Sequence, residues 1–255
     1  VSARRRLRSA VLVALTLAGC ATLPPAPRQP ISAEARRVLD GLEARWREFA
    51  SLRTLADVSV QRGTERHQVR GVLLVKAPTS VRFEALSPMG QPLLIAIVHD
   101  GQLTAFDATT NEAWVGPATA EATGRFLHLP FEADDLVGVL AGRPVPPLDV
   151  RAAEMLPPDE IGPSIEMTGS ANRRRIWFDP ETMIVRQFEL TGGRAEARVR
   201  FHREADARIG GFDLDAALGV LRASARYADP TFDVPLASDL FRLTIPKGAK
   251  IQEIR

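Results

Sequence analysis

The chain has 255 residues, of which 45% are hydrophobic, 25% charged and 6% aromatic, with a single cysteine. One cysteine excludes an internal disulfide framework and a thiolate metal cage, and no Lys/Arg-rich stretch with interleaved aromatics supports a nucleic-acid partner. The formal charge of +2 is uneven: Arg4, Arg5, Arg6 and Arg8 are four of the 33 basic residues, so beyond residue 19 there are 29 bases against 31 acids, a balance of −2.

Those arginines precede an apolar run from Ala10 to Leu17 that is too short to span a bilayer, and then Leu17-Ala18-Gly19-Cys20. Charged start, short apolar core and small residues predict a signal peptide over 1–19. The tetrapeptide resembles the lipobox of bacterial lipoproteins, which implies that Cys20 is the lipid attachment site, diacylated on its thiol and acylated on its freed amine. At about 0.8 kcal/mol per buried methylene, two or three chains anchor a protein almost permanently. Ala21 follows, where Asp in such lipoproteins favours inner-membrane retention. The expected location is therefore the periplasmic face of the outer membrane, by lipid anchor. Pro24, Pro25, Pro27 and Pro30 make residues 20–31 a lipidated, Pro-rich stalk of extended chain, roughly 30 Å long at about 3.1 Å per residue.

The domain is expected over 32–255. Ser32 is a candidate N-cap for a helix whose apolar residues, Ala35, Val38, Leu39, Leu42, Trp46, Phe49 and Leu52, recur at helical spacing. From Leu55 the period becomes two. Ala56, Val58 and Val60 alternate with polar residues, Val69, Leu73 and Val75 fall on one face of the next run, and Val81, Phe83 and Ala85 alternate with Arg82 and Glu84. Leu93–Val98 is apolar on both faces, which predicts a strand covered on both sides. Asp100-Gly101 reads as a hairpin turn leading to Leu103 and Phe106.

Residues 119–142 interrupt the strands with two short amphipathic patterns. One holds Ala122, Phe126 and Leu127 and stops at Pro130; the other holds Leu136, Val137 and Leu140 and stops at Gly142. Asp134 and Asp135 suit the positive end of the second helix. Val145–Pro163 is Pro-rich and reads as irregular, with a short helix around Arg151–Met155. Strands resume at Ile165 and Met167, at Arg175–Phe178 and Met183–Leu190 around the Asp179-Pro180-Glu181-Thr182 turn, and at Ala197–Phe201. Further strands fall at Leu221–Tyr227 and Phe241–Ile245. Arg173, Arg174 and Arg175 read as a solvated turn. The fold class is mainly β: about ten or eleven antiparallel strands at the spacing of a barrel or sandwich.

The four histidines, His67, His99, His128 and His202, show no metal-ligand spacing, and no nucleophile elbow, P-loop or dinucleotide fingerprint occurs. Neither catalysis nor a cofactor or metal is expected.

Two stretches carry a family likeness. Ala85-Leu86-Ser87-Pro88-Met89-Gly90 is similar to the strand and Pro-Leu-Gly loop of the LolA/LolB lipoprotein-carrier superfamily, its LolB branch in particular. Leu129-Pro130, Leu136, Leu140, Ala141-Gly142, Pro144 and Pro146 resemble its helical lid, and the order lipobox, stalk, helix, strands, lid, strands also agrees. The likeness spans residues 33–203; 210–255 extends beyond it. The resemblance implies a half-open antiparallel β-barrel with an N-terminal helix and a helical lid at 119–142. It implies acyl chains or lipoproteins as ligand, received from a periplasmic LolA-like carrier for insertion into the outer membrane by a monomer. Phe126, Leu127, Leu136, Val137 and Leu140 would then be lid and cavity residues. Val81, Phe83, Ile95, Ile97, Trp177, Val199 and Phe201 would be lining strand positions. Pro88, Met89 and Gly90 would form a membrane-contact loop. A non-catalytic structural or regulatory lipoprotein, using the same barrel to bind a protein or peptide, fits the residues as well; an unfilled apolar cavity under the lid separates the two.

Overall fold

The structure, a computed structural model, describes residues 27–193, 196–216 and 219–254; the expected signal peptide, Cys20, and Pro24 and Pro25 of the expected stalk lie outside the described residues. Helix α1 spans Ala33–Arg47, α2 Ala120–Phe126 and α3 Ala133–Leu140. The first strands are β1 Ser51–Arg62, β2 Glu65–Lys76, β3 Ser80–Leu86, β4 Pro92–His99, β5 Gln102–Asp107 and β6 Glu112–Pro117. After the lid helices come β7 Ala152–Leu156, β8 Ser164–Thr168, β9 Arg173–Phe178, β10 Val185–Thr191 and β11 Ala197–Arg203. The last are β12 Ile209–Ala216, β13 Leu221–Phe232 and β14 Lys250–Glu253.

Among the described residues all fourteen strands form one sheet, in the order β14-β6-β5-β4-β3-β2-β1-β13-β12-β11-β10-β9-β8-β7. Neighbours are antiparallel except β14, which runs parallel to β6. The sheet does not close: β14 and β7 are free edges. It is a half-open barrel whose concave side carries the main core and the three helices.

Local chemistry accounts for the helices. The Ser32 hydroxyl accepts from the Ala35 N–H at 3.1 Å, satisfying one of the donors a helix start leaves unpaired, and Ala35, Val38, Leu39 and Leu42 are buried. Thr119 Oγ1 caps α2 by accepting from Ala122 N–H at 3.3 Å. Thr123 Oγ1, fully buried, donates to the Phe131 carbonyl at 2.6 Å, which ties α2 to the connection leading into α3.

Four sequence expectations are corrected here. Fourteen strands replace ten or eleven, because short edge strands such as β14 give too few alternations to register. The helix expected around Arg151–Met155 is strand β7, held to β8 by the pairing of Ala153 with Met167 and Met155 with Ile165. Phe241 belongs to a 3-10 turn, Ser238–Phe241, not to a strand. Arg174 is not in a solvated turn: it lies on β9, facing the concave side, with its guanidinium against the Asp135 carboxylate of α3 (Nη1–Oδ1 2.6 Å). Its neighbours Arg173 and Arg175 point outward, as strand alternation requires.

The C-terminal region has two roles. β12 and β13 lie at the centre of the sheet, β13 pairing with β1 from Leu52↔Phe232 to Arg62↔Leu221. Beyond them the chain crosses the convex face of β2–β4, where Leu236 and Phe241 bury Leu74 and Ile97 in a second, smaller core. Lys76 Nζ donates to the Leu236 carbonyl at 2.7 Å and Arg82 Nη1 to that of Leu240 at 2.7 Å. At the other end of the chain, the described residues of the Pro-rich segment lie against the domain: Gln29 N–H donates to the Arg151 carbonyl at 2.7 Å and Arg28 pairs with Asp149 at 3.0 Å.

Candidate ligand-binding cavity

Along the middle of the concave face the strands carry small side chains. The register places Ala56 of β1 between Gly71 of β2 and Tyr227 of β13, and Gly71 against Ala85 of β3. One position on, Val58 lies between Val69 and Ala225. Gly71 has a specific reason to be glycine: a Cβ there would sit 2.5 Å from Phe83 Cε2 and 2.5 Å from the Glu84 carbonyl oxygen. The Phe83 ring therefore lies directly over the β2 backbone.

The end of α2 and the residues after it close over this strip and leave a cavity of about 90 Å³. Val81, Phe83, Phe126, Leu127, Leu140 and Phe212 form much of its wall, and among the described residues His128 and Ser224 are its only polar lining residues. The space would hold several waters but not a long acyl chain. At its margin, the Arg125 guanidinium lies 5.0 Å from the Phe126 ring centroid and 5.6 Å from that of Trp114.

His128 is the one titratable group in the wall. Its backbone is left-handed (φ 56°), and its Nδ1 is buried with no hydrogen-bond partner among the described residues. Burial, then the charges of Arg62 and His67, hold its pKa below the ordinary histidine value, so the imidazole is neutral at pH 7. A neutral ring in an apolar wall can orient a polar group of a guest by one hydrogen bond.

The lid is held by a few strong contacts. Besides Asp135–Arg174, the buried Tyr227 hydroxyl donates to the Leu140 carbonyl at 2.9 Å, and burial pushes its pKa far up, so it stays a donor. Burial also pushes the Asp135 carboxyl up, against the pull of Arg174.

The predicted site residues separate into groups. Val81, Phe83, Phe126, Leu127 and Leu140 meet at the cavity. Leu136 and Val137 are fully buried in the main core, as are Val199 and Phe201 on the concave face; none of the four lines the cavity. Three lining expectations are corrected. Ile95 and Ile97 pair with Glu84 and Arg82, one residue out of phase with Phe83, and face the convex core under Leu236 and Phe241. Trp177 likewise points away from its neighbours Ile176 and Phe178, donating its indole N–H to Asp159 at 2.9 Å beneath the Arg175 guanidinium, 4.0 Å away. Met89 stands at a loop tip, 85% exposed, on a turn closed by Ser87 N–H to the Gln91 carbonyl at 2.8 Å and by Gly90 at φ 79°. Pro88 and Gly90 flank it. The sequence reading missed Leu129, Phe212, Ala223 and Ala225 in the wall; the alternation of Ala223 and Ala225 was visible, but not which face the lid would cover.

No family model matches the chain, and no curated protein matches it. Solved structures do. A domain described as an outer membrane lipoprotein-sorting protein from Vibrio parahaemolyticus aligns over 81% of this chain and 97% of its own, with TM-score 0.56 and 13% identity. A LolA superfamily protein from Nitrosomonas europaea covers 82% and 97%, with TM-score 0.54 and 13% identity. A DUF1329 family protein from Desulfovibrio piger covers 83% and 98%, with TM-score 0.58 and 10% identity. At these identities the likeness establishes the fold: this chain has the LolA-type half-barrel with helices on its concave side.

Proposed function

We propose that the chain is a non-enzymatic lipoprotein of the bacterial envelope whose concave face takes acyl chains of a lipid or lipoprotein. One observation carries this reading: the cavity beneath α2 is apolar on every wall except at His128 and Ser224. Apolar burial of a flexible chain needs no catalytic group, and a cavity with one or two polar points is what orients such a guest. The fold shared with a LolA superfamily protein and with a lipoprotein-sorting domain supports the same class of ligand. In the finer form of the proposal, Cys20 anchors the protein to the periplasmic face of the outer membrane. A monomer there receives a lipoprotein from a LolA-like carrier, and the Pro88-Met89-Gly90 loop touches the bilayer on delivery.

The test is binding of an apolar fluorophore, and its displacement by fatty acids, with soluble protein carrying Cys20→Ser. Ala225→Leu adds three carbons into the cavity wall. It should weaken binding at least tenfold, at a stability cost of about 1–3 kcal/mol from overpacking. Wild-type protein that binds no apolar guest, or Ala225→Leu that binds as well, would remove the cavity from the function and leave binding of a protein partner on another surface.

A further inference from the structure

Away from the cavity, a second pocket of about 180 Å³ lies where α1 and α3 end, walled by the turns before β10 and after β11 and by the end of β13. Four arginines line it, Arg45, Arg143, Arg203 and Arg208, against two carboxylates, Asp206 and Asp233. Two of the arginines are matched: Arg45 pairs with Glu48 at 2.9 Å and Arg208 with Asp206 at 2.5 Å. Asp233 accepts from the Ala50 and Ser51 N–H groups at 2.8 and 3.4 Å. Arg143 Nη1 donates to the Arg45 carbonyl at 2.5 Å, its guanidinium lies 5.9 Å from the Phe49 ring centroid, and it reaches a carboxylate, Glu48, only at 3.8 Å.

Arg203 has no carboxylate partner among the described residues. Its Nη2 donates to the Gly142 and Val185 carbonyls at 2.6 and 2.7 Å, while its Nε is buried and unpaired. Gly142 (φ 65°) makes this approach possible, since a Cβ there would lie 3.0 Å from Arg203 Nη1. Helix-end carbonyls satisfy part of a guanidinium, but an enclosed cation normally has a counter-charge. Burial, then the like charges of Arg143 and Arg45, bring the Arg203 pKa down to about 10, which still leaves it charged at neutral pH.

We infer that this pocket is an anion site that binds a phosphate group, with the Arg203 Nε and the guanidinium groups of Arg143, Arg45 and Arg208 as donors. Four guanidinium groups around one pocket suit an oxyanion that accepts several hydrogen bonds at once, and four arginines against two carboxylates in the wall suit phosphate more than a carboxylate. The group could arrive free or on the headgroup of an anionic lipid; the chemistry at the arginines is the same.

The experiment follows thermal unfolding of the Cys20→Ser chain in inorganic phosphate, with acetate and chloride at equal ionic strength as references. Phosphate should raise the midpoint saturably, beyond both references. Arg208→Gln, an exposed change, and Arg203→Gln should each weaken the apparent affinity by about tenfold; Arg208→Gln keeps the test valid if Arg203→Gln does not fold. Flotation with phosphatidylglycerol and phosphatidylcholine vesicles assigns the source. Preference for phosphatidylglycerol that is lost in Arg208→Gln identifies a lipid phosphate, and stabilisation by phosphate without vesicle binding identifies the free anion. Equal stabilisation by phosphate, acetate and chloride, or unchanged phosphate binding by Arg208→Gln, overturns the site.

Discussion

Removing the Asp135 carboxylate isolates the strongest polar contact between the lid and the sheet. Asp135 and Arg174 meet at 2.6 Å and 3.0 Å through two parallel contacts, with side chains only 6% and 10% exposed. In Asp135→Ala the guanidinium keeps the Val145 carbonyl at 3.0 Å and Asn172 Oδ1 at 3.2 Å but loses its counter-charge. Breaking a buried pair by deleting one partner costs about 3–5 kcal/mol; the two neutral acceptors that remain put this case near the lower figure, about 3 kcal/mol. For a domain of this size that corresponds to a fall in melting temperature of roughly 6–12 °C. Asp135→Ala combined with Arg174→Met removes both charges and should regain most of the loss, because an apolar replacement of a buried pair is often neutral. Urea unfolding of the two single variants and the double variant measures the coupling. A loss below about 1 kcal/mol in Asp135→Ala, or a double variant no more stable than the single, would refute the claim that this pair pins the lid.

Other outcomes can be checked separately. Gly71→Ala should destabilise by about 1–3 kcal/mol and, by displacing the Phe83 ring, weaken apolar fluorophore binding; an unchanged urea midpoint would contradict the 2.5 Å approach. Met89→Glu should leave the unfolding curve unchanged, since exposed substitutions cost little, while transfer of a bound lipoprotein to liposomes falls severalfold. Cys20→Ser should abolish metabolic labelling with palmitate. At Asp213 burial pushes the carboxyl up, but hydrogen bonds from His202 and Arg226 outweigh it and hold the pKa below the ordinary value. Its stabilising contribution is therefore present above the unfolded carboxylate pKa and lost as pH falls through the lower folded one. Asp213→Asn should flatten the acid limb of the stability curve, followed by thermal melts from neutral pH downward.

Much of the concave side was legible because period-two alternation marks a half-buried strand without ambiguity. Val81, Phe83 and Ala85 on β3, and Ala223, Ala225 and Tyr227 on β13, show their inner face in the sequence itself. The lid was legible because Pro130 and Gly142 bound its two helices. Legibility failed where both faces are covered. Ile95 and Ile97 are apolar because the C-terminal segment lies over them, and a strand apolar on both sides carries no sign of which face is concave. It failed again at Arg174, where a buried charge is acceptable only because Asp135, 39 residues earlier, stands opposite. Nothing local in Arg173-Arg174-Arg175 encodes that partner. Strand β7 was lost because its five residues follow a proline-rich stretch and show no clean alternation.

The pairing of β1 with β13 bears on how the protein is made. Residues 51–62 find their partners at 221–232, near the opposite end of the chain. Until the last quarter of the polypeptide has emerged, β1 has only β2 beside it, and the two wings of the sheet have no seam joining them. Loop closure over such a span is slow compared with local hairpin formation. The sheet of a nascent chain therefore stays incomplete until residues 221–232 have been made. The segment after β13 then lies across the convex face and adds a strand to β6, so the outer edge on that wing is the four-residue β14, and a strand that short offers little to intermolecular pairing.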